Sequence, residues 1–233
     1  MKVWVYVEGE SDRLALQTLW SNWCEQLRTS GHGIRIIPLD DKSNFFRKIG
    51  PRAARQLSEN DDDVVVGLPD LYPNEPYTGT RFAHVNVAEL ERVQRDLVSD
   101  ALQSVFGVNR SRLDPLLVRF LPSALKHDLE MLLLSARREL RSYLGTPDQL
   151  GNWRNPVEDQ NQQHPPKRVV EELFRTKSKA KHSYRDTKDA SAILRKVTDM
   201  KGILYDTSDQ IKCPVFKALL DWIGEKTGIP AYR

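Results

Sequence analysis

The chain has 233 residues, 39% of them hydrophobic and 29% charged, with a formal net charge of +3; that suffices for one good core and a small appendage and excludes two independent enzymatic domains. No apolar run approaches the roughly 20 residues that a membrane helix needs, and Met1-Lys2 leads straight into a strand pattern rather than a secretory leader, so the expectation is a cytoplasmic protein with no membrane partner. Two cysteines, Cys24 and Cys213, and five scattered histidines argue against a disulfide framework and against a Cys/His zinc cluster.

In chain order, Val3-Trp-Val-Tyr-Val7 reads as an apolar strand that runs into Glu8-Gly-Glu-Ser-Asp12 and then a helix over residues 11–27, with Leu16, Leu19, Trp20, Trp23 and Leu27 at helical spacing. That order puts Glu8 at the carboxyl end of a buried strand, where open α/β sheets bind ligands and helix N-termini face the crevice. An acid there holds a metal or a proton; the plainer alternative is a strand-to-helix turn with Ser11 or Asp12 as the N-cap and Gly9 relieving the backbone.

A second short strand, residues 34–38, follows the Gly31-His-Gly33 break, and residues 44–57 read as a helix with a basic outer face. Val64–Leu68 is a third buried strand, entered from Asp61-Asp-Asp63 and closed by Pro69-Asp70. Residues 71–80, rich in Pro, Tyr and Gly, form a loop; residues 87–106 a long charged helix; residues 116–121 a fourth apolar strand cut by Pro122; and residues 127–144 a helix with the apolar middle Met131-Leu-Leu-Leu134. Residues 145–166 show little periodicity, and helices over 169–174, 190–197 and 215–223 follow. Alternating strands and helices of this size predict an α/β fold with a mainly parallel, Rossmann-like sheet flanked by helices. The expected division is a core over 1–145, a surface insertion or linker over 146–166 and a small, basic, helical C-terminal region over 167–233 packed on that core.

The charge is uneven: residues 1–163 carry 20 Lys/Arg against 23 Asp/Glu, and residues 164–201 carry 11 against 5. An acidic body with a basic flank suits an enzyme that holds cations in one and a polyanion on the other; a solvated Lys-rich helix surface is the ordinary alternative.

Asp70 ends the third strand as Glu8 ends the first, and adjacent parallel strands lie about 5 Å apart, so the two carboxylates can converge on one cation. At such separation they repel unless a metal or a shared proton neutralises them. All-oxygen ligands suit Mg²⁺ or Mn²⁺. His127 and Glu130, three apart on one expected helix, would share a face; Glu130 then completes the metal site, and His127 orients a ligand or binds phosphate, or is simply a packed histidine at a helix start.

Taken together, Glu8-Gly-Glu-Ser-Asp12 after strand one, Asp70-Leu-Tyr72 after strand three, His127-Asp-Leu-Glu130, Pro166-Lys-Arg168, Tyr184 and Lys212-Cys-Pro214 with Trp222 resemble the Toprim domain of topoisomerases, primases and the overcoming-lysogenization-defect nucleases. More narrowly, they resemble the small Toprim-like proteins often encoded beside an ATP-binding-cassette-type ATPase in prokaryotic defence loci. The resemblance spans nearly the whole chain. It departs from the Toprim pattern at Tyr72, where a second Asp is usual, so one ligand is missing or comes from Glu130 or Asp12. Relatives often carry Lys two residues after the C-terminal Tyr; here Asp186 stands there and Lys188 two further on.

The expectation is therefore metal-dependent phosphodiester hydrolysis of DNA or RNA, with Glu8, Asp70 and Glu130 as ligands and Asp12 as a further ligand, through water, or a helix cap. Lys167, Arg168 or Lys188 would neutralise phosphate charge, with Lys188, two residues past the position where relatives carry a lysine, as the candidate catalytic lysine, and each is otherwise a surface cation. Tyr72, Tyr77 and Phe82 would stack on splayed bases or anchor loops, and Tyr184 joins the phosphate-binding set through the resemblance. The resemblance further implies an anti-phage effector acting with a separate ATPase, since the chain has no Gly-x-x-x-x-Gly-Lys-[Ser/Thr] loop of its own. The rival expectation is a Toprim-like binding or regulatory subunit without turnover, which Tyr72 favours. Oligomeric state stays open.

Overall fold

A computed structural model describes residues 1–160, 163–179 and 182–232. Among them four strands form one all-parallel sheet in the order β2-β1-β3-β4. The apolar run at the start gives β1 (Lys2–Val7), and the amphipathic pattern after it gives two helices, α1 (Glu10–Leu19) and α2 (Ser21–Thr29), in place of the single helix expected over 11–27. The chain breaks at Trp20, whose buried ring stacks on Phe216 at 6.2 Å and meets Trp23 edge-on at 5.8 Å; the break lets both indoles reach the same apolar layer.

Strand β2 (Gly33–Pro38) lies at the sheet edge, α3 (Lys42–Glu59) is capped by the Asp41 side chain accepting from the Asn44 N–H, and β3 (Val64–Leu68) is buried throughout. Helix α4 (Val87–Ser104) follows, then α5 (Arg110–Leu117) and a short β4 (Phe120–Pro122). The fourth strand is thus shorter than the apolar run over 116–121: Leu116 and Leu117 close a helix, while exposed Val118 and Arg119, which donates to the carbonyls of Leu57, Asn60 and Asp63, separate them from the strand.

Strand alternation sends Val3, Val5 and Val7 to one face and Trp4 and Tyr6 to the other, and both faces are covered. On the Trp4 face, α3 and α4 pack closely enough that a Cβ on Gly50 would stand 2.6 Å from the Leu97 carbonyl oxygen. The other face is covered by α1, α2 and the rest of the chain: α6 (Glu130–Ser135), α7 (Arg137–Leu144), α8 (Pro166–Lys177), α9 (Ser191–Leu194), α10 (Lys201–Leu204) and α11 (Pro214–Thr227). The helix expected over 127–144 is also corrected: it starts at Glu130 and breaks at Ala136. Residues before it are pulled into the sheet, where Asp70 and Leu125 bridge as parallel partners, and this leaves His127 in a bend. Within residues 146–166, Leu150, Val157 and Glu158 are buried, and the Glu158 carboxylate accepts from the Val215 and Phe216 N–H groups that open α11.

Candidate functional site

The carboxyl ends of β1, β3 and β4 open onto one edge, with Val7 opposite Leu68 in the β1–β3 register and Val66 and Gly67 opposite Leu121 and Pro122 in the β3–β4 register. The next residues carry acids. Glu8 Oε1 accepts from the Asp70 backbone N–H at 3.0 Å, which ties the first and third strand ends together. Asp12 is buried and its Oδ2 accepts from the Gly9 N–H at 2.9 Å, so Gly9 is the N-cap, in place of the Ser11 or Asp12 expected there, and Asp12 reaches back to it from the third position of α1. Asp128 and Glu130 arrive from the segment after β4, Glu130 buried at the start of α6.

These five carboxylates share one electrostatic field. Burial raises the Glu8 carboxyl to about 7, with Lys42 opposing and Asp12 adding to the rise. Burial raises Asp12 to about 6 and Asp128 to about 8, each pushed further by Glu130. Burial also lifts Glu130 above the carboxylate range against the pull of Lys167. Asp70 is raised well above its ordinary value, first by burial and then by the charges of Glu8, Asp12, Asp128 and Glu130. Oxygens Oδ1 of Asp70 and Oδ1 of Asp128 are sealed from solvent with no hydrogen-bond partner among the described residues. Orphaned buried acceptors of this kind call for a proton or a cation.

Two lysines answer part of that charge. Lys42 is buried at the start of α3, and its Nζ donates to the carbonyls of Leu71 at 2.9 Å and Pro73 at 2.8 Å; burial lowers it to about 8 while Glu8 and Asp70 hold it up. Lys167 lies 3.6 Å from Asp186, and the charges of Glu130, Asp186 and Asp128 outweigh its burial and keep it above the usual lysine range. The Tyr184 hydroxyl is pushed far up by burial and by Glu130, which it faces without closing a well-formed hydrogen bond.

Of the residues expected at the site, Glu8, Asp12, Asp70, Glu130, Lys167 and Tyr184 therefore meet. His127 does not join Glu130 on a helical face: its ring lies 5.3 Å from Tyr72, and burial lowers its pKa. The two rings line a hollow of about 260 Å³ with Pro73, Glu75, Asp128 and Pro165, so His127 and Tyr72 border the acids through Asp128. Lys188 and Arg168 are exposed, and neither forms an ion pair among the described residues. Lys42, Asp128 and Asp186 escaped the sequence reading. Lys42 opens α3 four residues past the end of β2, where the sequence pattern does not mark it.

The donors are all oxygen, which fits a hard divalent cation. Among the described residues, however, no three of His, Cys, Asp or Glu are drawn close enough together to hold an ion as they stand.

A structure similar in outline is the C-terminal region of the OLD protein of Xanthomonas campestris pv. campestris, 15% identical, with 84% of this chain and 85% of that chain covered at a TM-score of 0.40; a likeness that loose bears on neither mechanism nor substrate. No curated protein matches the chain. A family model does match, over residues 7–224 and so over the strand ends, the acids and the C-terminal helices alike: the chain belongs to the family described as a domain of unknown function, DUF4276.

Proposed function

We propose that the chain is a divalent-metal-dependent nuclease of Toprim-like type that hydrolyses phosphodiester bonds of DNA or RNA with Mg²⁺ or Mn²⁺. The observation that carries this reading is the convergence of Glu8, Asp12, Asp70, Asp128 and Glu130 at one sheet edge, each raised by burial, with two sealed carboxylate oxygens left unpartnered. Glu8, Asp70, Glu130 and Asp128 would hold the ion, Asp12 standing beside them on the Gly9 N–H. Once bound, the ion supplies Lewis acidity toward a phosphoryl oxygen.

The chain's own groups do the remainder. Lys42 fixes the loop after β3 through the Leu71 and Pro73 carbonyls and so fixes Asp70. Lys167, placed among Glu130, Asp128 and Asp186, offsets charge that builds on the phosphoryl group. Lys188, expected in that role, sits on an exposed turn, and Lys167 is the better-placed lysine. Tyr72 and His127 border a hollow sized for part of a nucleotide next to the scissile bond. The motif resemblance extends the proposal to an anti-phage effector in the cytoplasm, working with a separate ABC- or AAA-type ATPase.

A binding or regulatory subunit of an ATPase complex, without turnover, is the second reading. Tyr72 in place of an acid and the open spacing of the carboxylates favour it. Incubating the purified chain with DNA and with RNA in Mn²⁺ or Mg²⁺, with and without an adjacent ATPase, separates the two. The nuclease reading expects cleavage that Glu8→Ala abolishes; cleavage surviving both Glu8→Ala and a chelator would falsify the metal assignment.

A further inference from the structure

The end of α6 away from the acids opens onto a second cavity, of about 700 Å³, between the α6–α7 junction, the 152–157 segment and the 197–212 segment. Two of its cations are held by neutral partners. Arg137 lies 4.1 Å over the Trp153 ring and donates to the Gly151 carbonyl. Lys212 donates to the carbonyls of Ser135 at 2.8 Å and Gly202 at 2.5 Å, and the Arg154 side chain extends from the same rim. Among the described residues none of the three forms an ion pair with a carboxylate.

The acids that line the cavity are engaged elsewhere. Asp206 accepts from the Ser208 and Gln210 N–H groups at 2.8 and 2.9 Å and from Asn155 Nδ2 at 2.8 Å; Glu139 pairs with Arg138 at 2.7 Å; Asp199 accepts from the Lys201 N–H at 2.8 Å. Three cations thus share a concave surface with three acids whose oxygens are already hydrogen-bonded or paired. Burial lowers Lys212 and Arg137 alike, while Cys213, Asp206 and Glu139 hold Lys212 up and Arg137 opposes them. Beside them stand two aromatic rings, Trp153 and Tyr205. A guanidinium over an indole keeps N–H donors for a phosphate while the aromatic ring offers a platform for a base. The volume falls within the range of cavities that take small ligands.

We propose that this cavity is a nucleotide-binding site, with the phosphate on Arg137, Arg154 and Lys212 and the base on the Trp153–Arg137 stack. The site is separate from the carboxylate cluster, since α6 spaces the two by roughly 8 Å at about 1.5 Å per residue, and its ligand needs no divalent ion. The same chemistry serves a free nucleotide or one unit of a single strand.

Titrating the full chain with AMP by calorimetry in excess EDTA, which silences any metal site, tests the proposal. Saturable binding is expected, weakened about tenfold or more by Arg137→Gln, by Trp153→Leu and by Arg154→Gln. Arg154→Gln removes an exposed side chain and leaves the fold intact, so it decides the matter should Trp153→Leu fail to fold. A short thymidylate strand binding more tightly than AMP would mark a strand unit, and AMP binding more tightly would mark a free nucleotide; either outcome supports the site. Absence of binding at millimolar AMP, affinity unmoved by the three substitutions, or inorganic phosphate binding as tightly as AMP would overturn it. Because EDTA is present throughout, failure here leaves the nuclease reading untouched, and failure of the nuclease reading leaves this site standing.

Discussion

At the scale of single residues the site is an arrangement of charge that the protein alone leaves incomplete. Asp70 carries most of the load: its carboxyl is raised by burial and by four other acids, and Oδ1 lacks any hydrogen-bond partner among the described residues. Asp70→Asn keeps the shape and removes the charge, so the metal-free variant is expected to melt higher than wild type at pH 8 while losing divalent-ion binding and cleavage. An unchanged or lower melting temperature in calorimetry would contradict the charge argument. Lys42 works in the opposite sense. Its two carbonyl partners and its neighbours Glu8 and Asp70 make it the internal counter-ion of the edge, and Lys42→Met strands both carbonyls and exposes Glu8 to uncompensated repulsion. Loss of about 3 kcal/mol is expected for removing one partner from a buried charged network, measured by urea unfolding.

At the scale of elements, the site depends on strand ends being held in register, and that register depends on how tightly the helices seat. Gly50 on α3 is the closest approach: an added methyl group would meet the Leu97 backbone oxygen of α4. Gly50→Ala gains helix propensity of up to about 1 kcal/mol, yet overpacking against a backbone atom costs about 1–3 kcal/mol; a net fall in melting temperature is expected, and a rise would show that the two helices part without penalty. Elements were legible in the sequence where one physical signal dominated. Continuous apolar runs gave β1 and β3, and these placed Glu8 and Asp70 correctly at neighbouring ends. The run over 116–121 misled because a helix end and a strand share it. From Met131 to Ala136 every residue is buried, so no polar face within α6 marked its end ahead of the exposed Arg137 and Arg138. His127 was misplaced for a related reason: the bridge from Leu125 to Asp70 is a long-range contact that periodicity does not encode. Lys42 and Asp128 were missed because their role comes from burial beside other charges.

At the scale of the whole molecule, the raised carboxyls couple folding to pH and to cations. Glu8, Asp12 and Asp128 stand at about 7, 6 and 8 in the folded state, above the values they take in an unfolded chain. The folded state therefore binds more protons through that window, and the sign follows: the stability these groups contribute is present in full below about pH 4 and drains away as pH rises toward 8. The metal-free protein is expected to melt at a lower temperature at pH 8 than at pH 5.5, and a flat profile would count against a buried acid cluster. Under the proposed function a divalent ion is expected to bind the ionised form and reverse the trend, with its stabilisation largest at high pH. We take this sheet edge to be a cation site, and a calorimetric titration of Mn²⁺ into the metal-free chain at pH 8 tests it directly. Saturable binding that Asp70→Asn eliminates is expected; no binding, or binding that Asp70→Asn leaves unchanged, would contradict it.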